Sequence, residues 1–129
     1  MKGILYYFSG TGNTKWVADR FKKNFKFYNV DIDLIDIQHI EDKGLKKCDF
    51  VIIGSPVHVG FPPKIVRDFL NRLDSLKKNK KVIIYCTQAA ESSSACCFIA
   101  KCLKKKGYII SAQISVKMPN NYYFFIGKK

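Results

Sequence analysis

The sequence predicts one α/β domain built on a doubly wound, five-stranded parallel sheet. Three short apolar runs without alternation, at residues 3–8, 50–53 and 82–86, are typical of strands buried on both faces of a parallel sheet. Two alternating segments, at residues 30–34 and 110–116, are typical of strands near a sheet edge. Because the first strand along the chain is buried and the second is an edge strand, we expect the sheet order 2-1-3-4-5.

Apolar residues at helical spacing lie in the intervals between these strands. Apolar residues recur every four positions over residues 17–25, and a broader stripe over residues 65–76 follows two consecutive prolines, which suit a first helical turn. A third stripe covers residues 95–103, and Gly107 is predicted to close that helix. Residues 37–48 have room for at most a brief helix.

The composition indicates a globular protein of ordinary type. Its 129 residues allow one domain, placed at residues 1–129, and 47% of them are apolar, which excludes a disordered or fibrous chain. No apolar run approaches the roughly 18 residues of a membrane span, and the apolar run at residues 3–8 lacks a cleavage site behind it. We therefore expect a cytoplasmic protein with no membrane partner.

The formal net charge of +13 raises the question of nucleic acid as a partner. The lysines cluster after apolar periodic segments, in predicted helix ends and loops, where cations interact favourably with the helix dipole. Because these clusters are scattered rather than aligned in one basic stripe, we expect no nucleic-acid partner. The positive field should still attract acidic partners.

The five cysteines do not form a disulfide or metal pattern. Their number is odd, two of them are adjacent at Cys96 and Cys97, and no Cys-x-x-Cys occurs. We expect buried thiols in a reducing compartment, and no metal-ligating residues.

The most specific motif lies between the first strand and the first helix. Glycines there allow a tight turn, and the free N–H groups of the turn and helix start form an anion site to which hydroxyl and amide groups add donors. The residues of this predicted phosphate loop are Ser9, Gly10, Thr11, Gly12, Asn13 and Thr14. The loop does not fit a Walker motif. It does not fit the dinucleotide fingerprint either, because Lys15 stands where the third glycine of that fingerprint would be.

This loop resembles the phosphate loop of flavodoxins, which bind flavin mononucleotide (FMN), and the resemblance spans nearly the whole chain. Residues 55–63 are similar to the second flavin loop, and residues 86–90 occupy the position of the third. The segment 118–122 follows the pattern of the flavodoxin-like domain of bacterial flavodoxin–ferredoxin fusion proteins. We expect the ferredoxin part of that family to be absent, since no Cys-x-x-Cys occurs in these residues, and the third loop is less glycine-rich than in that family.

The resemblance implies FMN as the cofactor, with the isoalloxazine ring between the second and third loops. The further residues implied to contact it are Pro56, Val57, His58, Gly60, Phe61, Thr87, Gln88, Ala89, Asn121 and Tyr122. The aromatic side chain that stacks on the ring is one of His58, Phe61, Tyr122 and Tyr123. Flavodoxins often use a glycine such as Gly60 for a peptide flip at flavin N5. No catalytic residue is predicted.

The function implied by the resemblance is FMN-dependent electron transfer, either as a redox carrier or as the flavin half of a redox pair. A ferredoxin-type iron–sulfur protein is the partner implied by the fusion family. Two alternatives stay open: a flavin-free binding module, and an FMN-dependent quinone or protoporphyrinogen-type oxidoreductase.

The end of the chain predicts an unusual feature of this fold. A flavodoxin sheet has a fifth helix after its last strand, but residues 117–129 begin poorly for a helix, so we expect that helix to be lacking. Ser111, Gln113 and Ser115 predict that the uncovered side of the fifth strand is polar. We expect a homodimer or another partner on this face, with the apolar segment 122–126 at its rim.

Overall fold

The computed structural model describes residues 1–10, 12–39, 48–57, 60–73, 80–88 and 94–117. The strands within these ranges are β1 (Lys2–Tyr7), β2 (Asp31–Asp36), β3 (Phe50–Pro56), β4 (Lys80–Gln88) and β5 (Tyr108–Lys117). The helices described there are α1 (Asn13–Phe27), α2 (Lys64–Arg72) and α3 (Ser94–Lys105), and a 3-10 turn lies at Ile37–His39.

All neighbouring strands are parallel, and the sheet order is β2-β1-β3-β4-β5. This confirms the predicted doubly wound α/β fold and its order. The strands β1, β3 and β4 lie inside the sheet and are apolar on both faces, because helices cover both sides of them. In such a sheet, the carboxyl ends of the strands beside the point where the order reverses form the usual ligand crevice.

The two faces of the sheet carry different helices. On one face, α1 packs through Val17 and Ala18 against Leu5 and Ile52. On the other face, α2 and α3 pack against alternate residues of the same strands. The buried residues of this second layer include Ile4, Val51, Val66, Leu70, Val82, Ile84, Ile99 and Leu103. The α1 side is therefore covered by a single described helix, and the opposite side by two.

Two glycines in the inner strands make room for aromatic rings on the α1 face. A Cβ atom added at Gly54 in β3 would lie 2.2 Å from the Tyr85 ring, and one added at Gly3 in β1 would lie 2.5 Å from the Phe50 ring. Tyr85 is completely buried, and its ring lies 5.1 Å from that of Phe21 on α1. The missing side chain at Gly54 thus allows Tyr85 of β4 to reach under α1.

The prediction that the uncovered side of β5 is polar is wrong. Val82 pairs with Ile110, whereas Ile83 pairs with Ala112, so β5 carries one extra residue at this point. This irregularity reverses the faces of the rest of the strand. From there on, the apolar residues Ala112, Ile114 and Val116 lie on the α1 face, while Gln113 and Ser115 lie on the α3 face.

Several smaller expectations are resolved by the structure. Gly107 follows α3 with φ +97°, as its predicted closing role requires. The expectation of buried thiols is correct for Cys86 and Cys96, but Cys97 is exposed. The predicted lack of a fifth helix concerns residues 118–129, which lie outside the described residues. Within the described ranges, no helix has the length and apolarity needed to cross a membrane.

Candidate functional site

The loop between β1 and α1 turns tightly through a glycine in the left-handed region. Gly12 has φ +94°, and a Cβ atom at this position would meet no other atom within 4 Å, so the backbone here faces open space. The Gly12 N–H donates to Ser9 Oγ at 2.8 Å, and the Gly12 carbonyl accepts from the Trp16 N–H at 2.9 Å. These two hydrogen bonds, formed by groups of the loop itself, connect the loop to the first turn of α1.

The start of α1 is suited to an anion. Gly12 is the N-cap, and no side chain among the described residues caps the first turn of the helix. The first backbone N–H groups of a helix have no partner within the helix, and the helix dipole makes this end partially positive. Lys15 is already paired with Asp19 at 3.2 Å. The described residues thus fit a phosphate group that is held mainly by backbone N–H groups and by the hydroxyl of half-buried Ser9, since the Thr14 hydroxyl is buried.

Buried polar contacts join the first loop to the end of β4. Thr14 Oγ1 and Thr87 Oγ1 lie 2.9 Å apart, and both threonines are buried. The Tyr85 hydroxyl donates to the Thr14 carbonyl at 2.9 Å. Because β4 lies beyond β3 from β1, these bonds cross the sheet on the α1 side. The structure therefore brings together two predicted site residues, Thr14 and Thr87, from segments 73 positions apart.

Tyr85 is a residue of this region that sequence reasoning did not single out. Burial raises the pKa of its phenol, so the hydroxyl stays protonated and acts as a donor. The available signal was a glycine, Gly54, inside an otherwise apolar run of β3, since such a glycine often marks a close approach by another group.

The second loop leaves the carboxyl end of β3. Ser55 is buried, its Oγ donates to the Pro56 carbonyl at 2.7 Å, and Pro56 and Val57 are half-buried. Gly60 has φ +82°, a conformation that favours glycine, and its carbonyl accepts from Ser94 Oγ at 2.8 Å. This bond ties the second loop to the first residue of α3.

Phe61 turns toward α3 rather than into the strand ends. It is 55% exposed, and its ring meets that of Phe98 edge to face, with 5.9 Å between the ring centroids. A groove of about 380 Å³ opens beside this pair. Its contact with Phe98 makes Phe61 part of a surface that extends beyond the predicted flavin slot.

Part of the predicted site lies outside the described residues: Thr11, His58, Ala89, Asn121, Tyr122 and Tyr123. The backbone of Gln88 ends β4, but its side chain is also outside the description. Of the four aromatic candidates for stacking on the ring, Phe61 alone lies within the described ranges. The choice among them stays open.

Cys86, which sits beside Thr87 at the end of β4, is structural. It is completely buried, and its thiol shares a hydrogen bond with the buried Cys96 of α3. This bond and burial raise the pKa of Cys86, so it stays a thiol. A protonated, enclosed thiol is a poor nucleophile.

Together, the sheet order and the tight glycine turn between β1 and α1 define a doubly wound α/β protein. The sequence profile of the flavodoxin domain family matches residues 4–118. The chain therefore belongs to the flavodoxin domain family, whose cofactor is FMN.

Individual relatives agree with this assignment. A protein described as probable flavodoxin 1 from Bacillus subtilis (strain 168) is 29% identical over 79 residues, which is 60% of this chain and 50% of that protein. The match thus spans about half the length of this curated relative.

Two solved structures show the shared fold. A flavodoxin from the domain Archaea superimposes with a TM-score of 0.75 and 19% identity, over 99% of this chain and 92% of the other. Oxidised flavodoxin 1 from Bacillus cereus gives a TM-score of 0.75 and 19% identity, over 97% and 91% of the two chains. At this identity, the similarity establishes the fold.

Proposed function

We propose that this chain is an FMN-dependent electron carrier, with the FMN phosphate held by the loop of residues 9–14. The observation that carries the proposal is the uncapped start of α1 beside the left-handed Gly12, at the carboxyl end of an inner strand. The bound flavin would supply the one- and two-electron chemistry, and the chain would hold and orient it.

The second and third loops are proposed to flank the ring. Gly60 follows β3 and Thr87 lies near the carboxyl end of β4; because β3 and β4 are neighbours in the sheet, both lie at the same edge as the phosphate loop. Half-buried Val57 offers an apolar contact, while the Thr87 hydroxyl is buried against Thr14 and holds the third loop beside the first. A slot with apolar walls and a few polar groups is what flavin binding requires.

The proposal is tested by comparing FMN with riboflavin, which lacks the phosphate. Ser9→Ala removes a hydroxyl from the loop, and losing a hydrogen bond to a charged group costs about 1.5–3 kcal/mol, or roughly ten- to a hundredfold in affinity. We expect Ser9→Ala and Thr11→Ala to weaken FMN by this factor, measured by quenching of flavin fluorescence, and to leave riboflavin nearly unchanged.

The matched control is Ser111→Ala, which removes an exposed hydroxyl from β5. It should alter neither affinity. Equal loss of FMN and riboflavin in the loop variants would place the phosphate elsewhere. A purified chain that binds neither flavin would favour the alternative of a flavin-free binding module.

A redox partner with an acidic surface is part of the proposal, because the chain carries a net charge of +13. A ferredoxin-type iron–sulfur protein is the partner suggested by the resemblance to fusion proteins. Turnover of NAD(P)H with a quinone would instead favour the oxidoreductase alternative.

A homodimer across β5 also belongs to the proposal. β5 is an edge strand whose residues 108–116 carry no charge, and its α1 face exposes 41% of Ile109 and 36% of Ile114. Ile114→Lys should lower the molar mass found by light scattering, and added salt should raise it by screening the like charges of two copies. A monomer at all concentrations and salt levels would exclude the dimer.

A further inference from the structure

The surface beside the second loop contains a groove with an unusual combination of walls. It has a volume of about 380 Å³ and is lined by Phe61, Pro62, Pro63, Lys64, Arg67 and Phe98. Two aromatic rings and two prolines form its apolar part, and two cations stand at its margin. The groove lies between the start of α2 and the first turns of α3.

The aromatic part of the groove is more open than packing alone requires. Phe61 is 55% exposed, although its neighbour Pro62 is buried. The Phe61 and Phe98 rings contact each other edge to face, which leaves ring surface directed outward. Exposed aromatic rings with a charged margin are typical of surfaces that bind proteins.

The charge at the margin is only partly neutralised within the described chain. Lys64 is paired with Asp68 at 2.8 Å, but Arg67 forms no ion pair with any described residue. Arginine binds carboxylates with two parallel hydrogen bonds and is common at protein interfaces. Since the chain as a whole carries +13, the occupant that complements this margin is anionic.

The groove is coupled to the proposed flavin site through α3. Ser94 donates to the Gly60 carbonyl at 2.8 Å, and Phe98 lies one helical turn after Ser94. Phe61 follows Gly60 directly in the chain. A protein seated in the groove would therefore contact the residue next to the second flavin loop.

We propose that this groove is the docking site for an acidic redox partner. An apolar side chain of the partner would enter between Phe61 and Phe98, and a carboxylate of the partner would bind Arg67. The inference rests on the proposed electron-carrier function and specifies its partner surface. A protein fits better than a small anion, because the groove is wide, open and mostly apolar.

The test measures binding of an oxidised, acidic plant-type [2Fe–2S] ferredoxin to the FMN-loaded full chain by titration calorimetry. Arg67→Glu is compared with Arg72→Glu, which makes the same change of charge on the same helix but lies outside the groove. We expect Kd to rise about tenfold or more for Arg67→Glu and by less than about threefold for Arg72→Glu. Equal effects would mean that net charge alone drives binding and would overturn the proposal.

A second pair of variants tests the apolar part. Phe98→Ala opens the groove, whereas Phe27→Ala removes a ring that is 81% exposed at the end of α1. We expect about a tenfold rise in Kd for Phe98→Ala and no change for Phe27→Ala. Should Phe98→Ala not fold by circular dichroism, Phe98→Leu replaces it, because leucine keeps this half-buried position apolar but removes the ring. An unchanged Kd in the folded groove variant would overturn the proposal.

Failure of docking and failure of flavin binding are separable. FMN affinity is measured by fluorescence quenching in each variant, and ferredoxin binding is repeated without FMN. A chain that binds FMN but not ferredoxin overturns the docking site only. If the chain binds no FMN, but Arg67→Glu and Phe98→Ala still weaken ferredoxin binding, the electron-carrier function is refuted. The groove then remains a binding surface for an acidic protein.

Discussion

Thr14 and Thr87 show how a single buried contact joins two loops of the candidate site. Their hydroxyls are 2.9 Å apart, and neither side chain is accessible enough to exchange its partner for bulk water. A buried hydroxyl that loses its partner bears the full cost of desolvation, whereas removing both hydroxyls leaves no group without a partner. The pair is therefore expected to be energetically coupled.

The coupling is measured with Thr14→Val, Thr87→Val and the double variant in urea denaturation. We expect each single change to lower the free energy of unfolding by about 1–3 kcal/mol. The double variant should lose about 1 kcal/mol less than the sum of the two. Ser111→Ala, an exposed hydroxyl on β5, should change stability by less than about 0.5 kcal/mol. Strictly additive losses would show that the two hydroxyls act independently.

At the scale of elements, Gly54 sets the fit between β3, β4 and α1. The Tyr85 ring lies over Gly54 and packs against Phe21. Its hydroxyl donates a hydrogen bond to the Thr14 carbonyl at the start of α1. The position of the first loop thus depends on the absence of a side chain one strand away. A methyl group at Gly54 would displace a ring that has no free space around it.

Gly54→Ala is expected to lower the free energy of unfolding by about 1–3 kcal/mol through overpacking. In a Tyr85→Ala background the same change should cost less than about 0.5 kcal/mol, because the clashing ring is gone. The matched control is Gly10→Ala, where the nearest atom to an added Cβ lies 3.8 Å away and no destabilisation is expected. If Gly54→Ala lowers the free energy of unfolding equally in the Tyr85→Ala background, the effect comes from the backbone of β3 and not from the Tyr85 ring.

Strand β5 illustrates how one residue changes the character of an element. Its alternation predicted a polar open face, but the extra residue near Val82 and Ile83 turns Ala112, Ile114 and Val116 to that face instead. The polar side chains then face α3, where Cys97 Sγ lies 3.9 Å from Gln113 Oε1 and a hydrogen bond joins Ser115 to Cys96. The sequence predicted a polar open face for this edge strand, but its α1 side is apolar.

At the scale of the whole molecule, the excess of 23 basic over 10 acidic residues sets the field around the proposed flavin. Full reduction of FMN adds negative charge to the ring, and a positive field stabilises that charge. Salt screens interactions between exposed charges over distances near 10 Å at 0.1 M. The reduction potential of the bound flavin should therefore depend on ionic strength.

We expect the potential of the second one-electron step to become more negative as salt rises, measured by spectroelectrochemistry. The variant Lys104→Glu/Lys105→Glu, which reverses two exposed charges at the end of α3, should lower the potential at low salt and reduce its salt dependence. A potential that does not change with salt would show that local contacts, and not the net charge, control the flavin.

Most of the fold could be predicted from the sequence because it depends on local patterns. The unalternating runs at residues 3–8, 50–53 and 82–86 correspond to the inner strands, and the alternating runs to the two edges. The concentration of glycines and hydroxyls in six consecutive residues after the first strand is equally visible in the sequence, and its role in binding a phosphate stays a prediction. Burial on two faces and tight turns both leave signatures in neighbouring residues, so no knowledge of distant contacts was required.

What only the tertiary structure decided are the features that depend on residues far apart in the chain. The contact of Thr14 with Thr87, the passage of Tyr85 over Gly54, and the groove between Phe61 and Phe98 each join separate elements. The face presented by each half of β5 likewise depended on its register against β4, which no pattern within β5 reveals. Sequence periodicity indicates which side of a segment is buried. Contacts between residues of different elements are instead set by how those elements pack together.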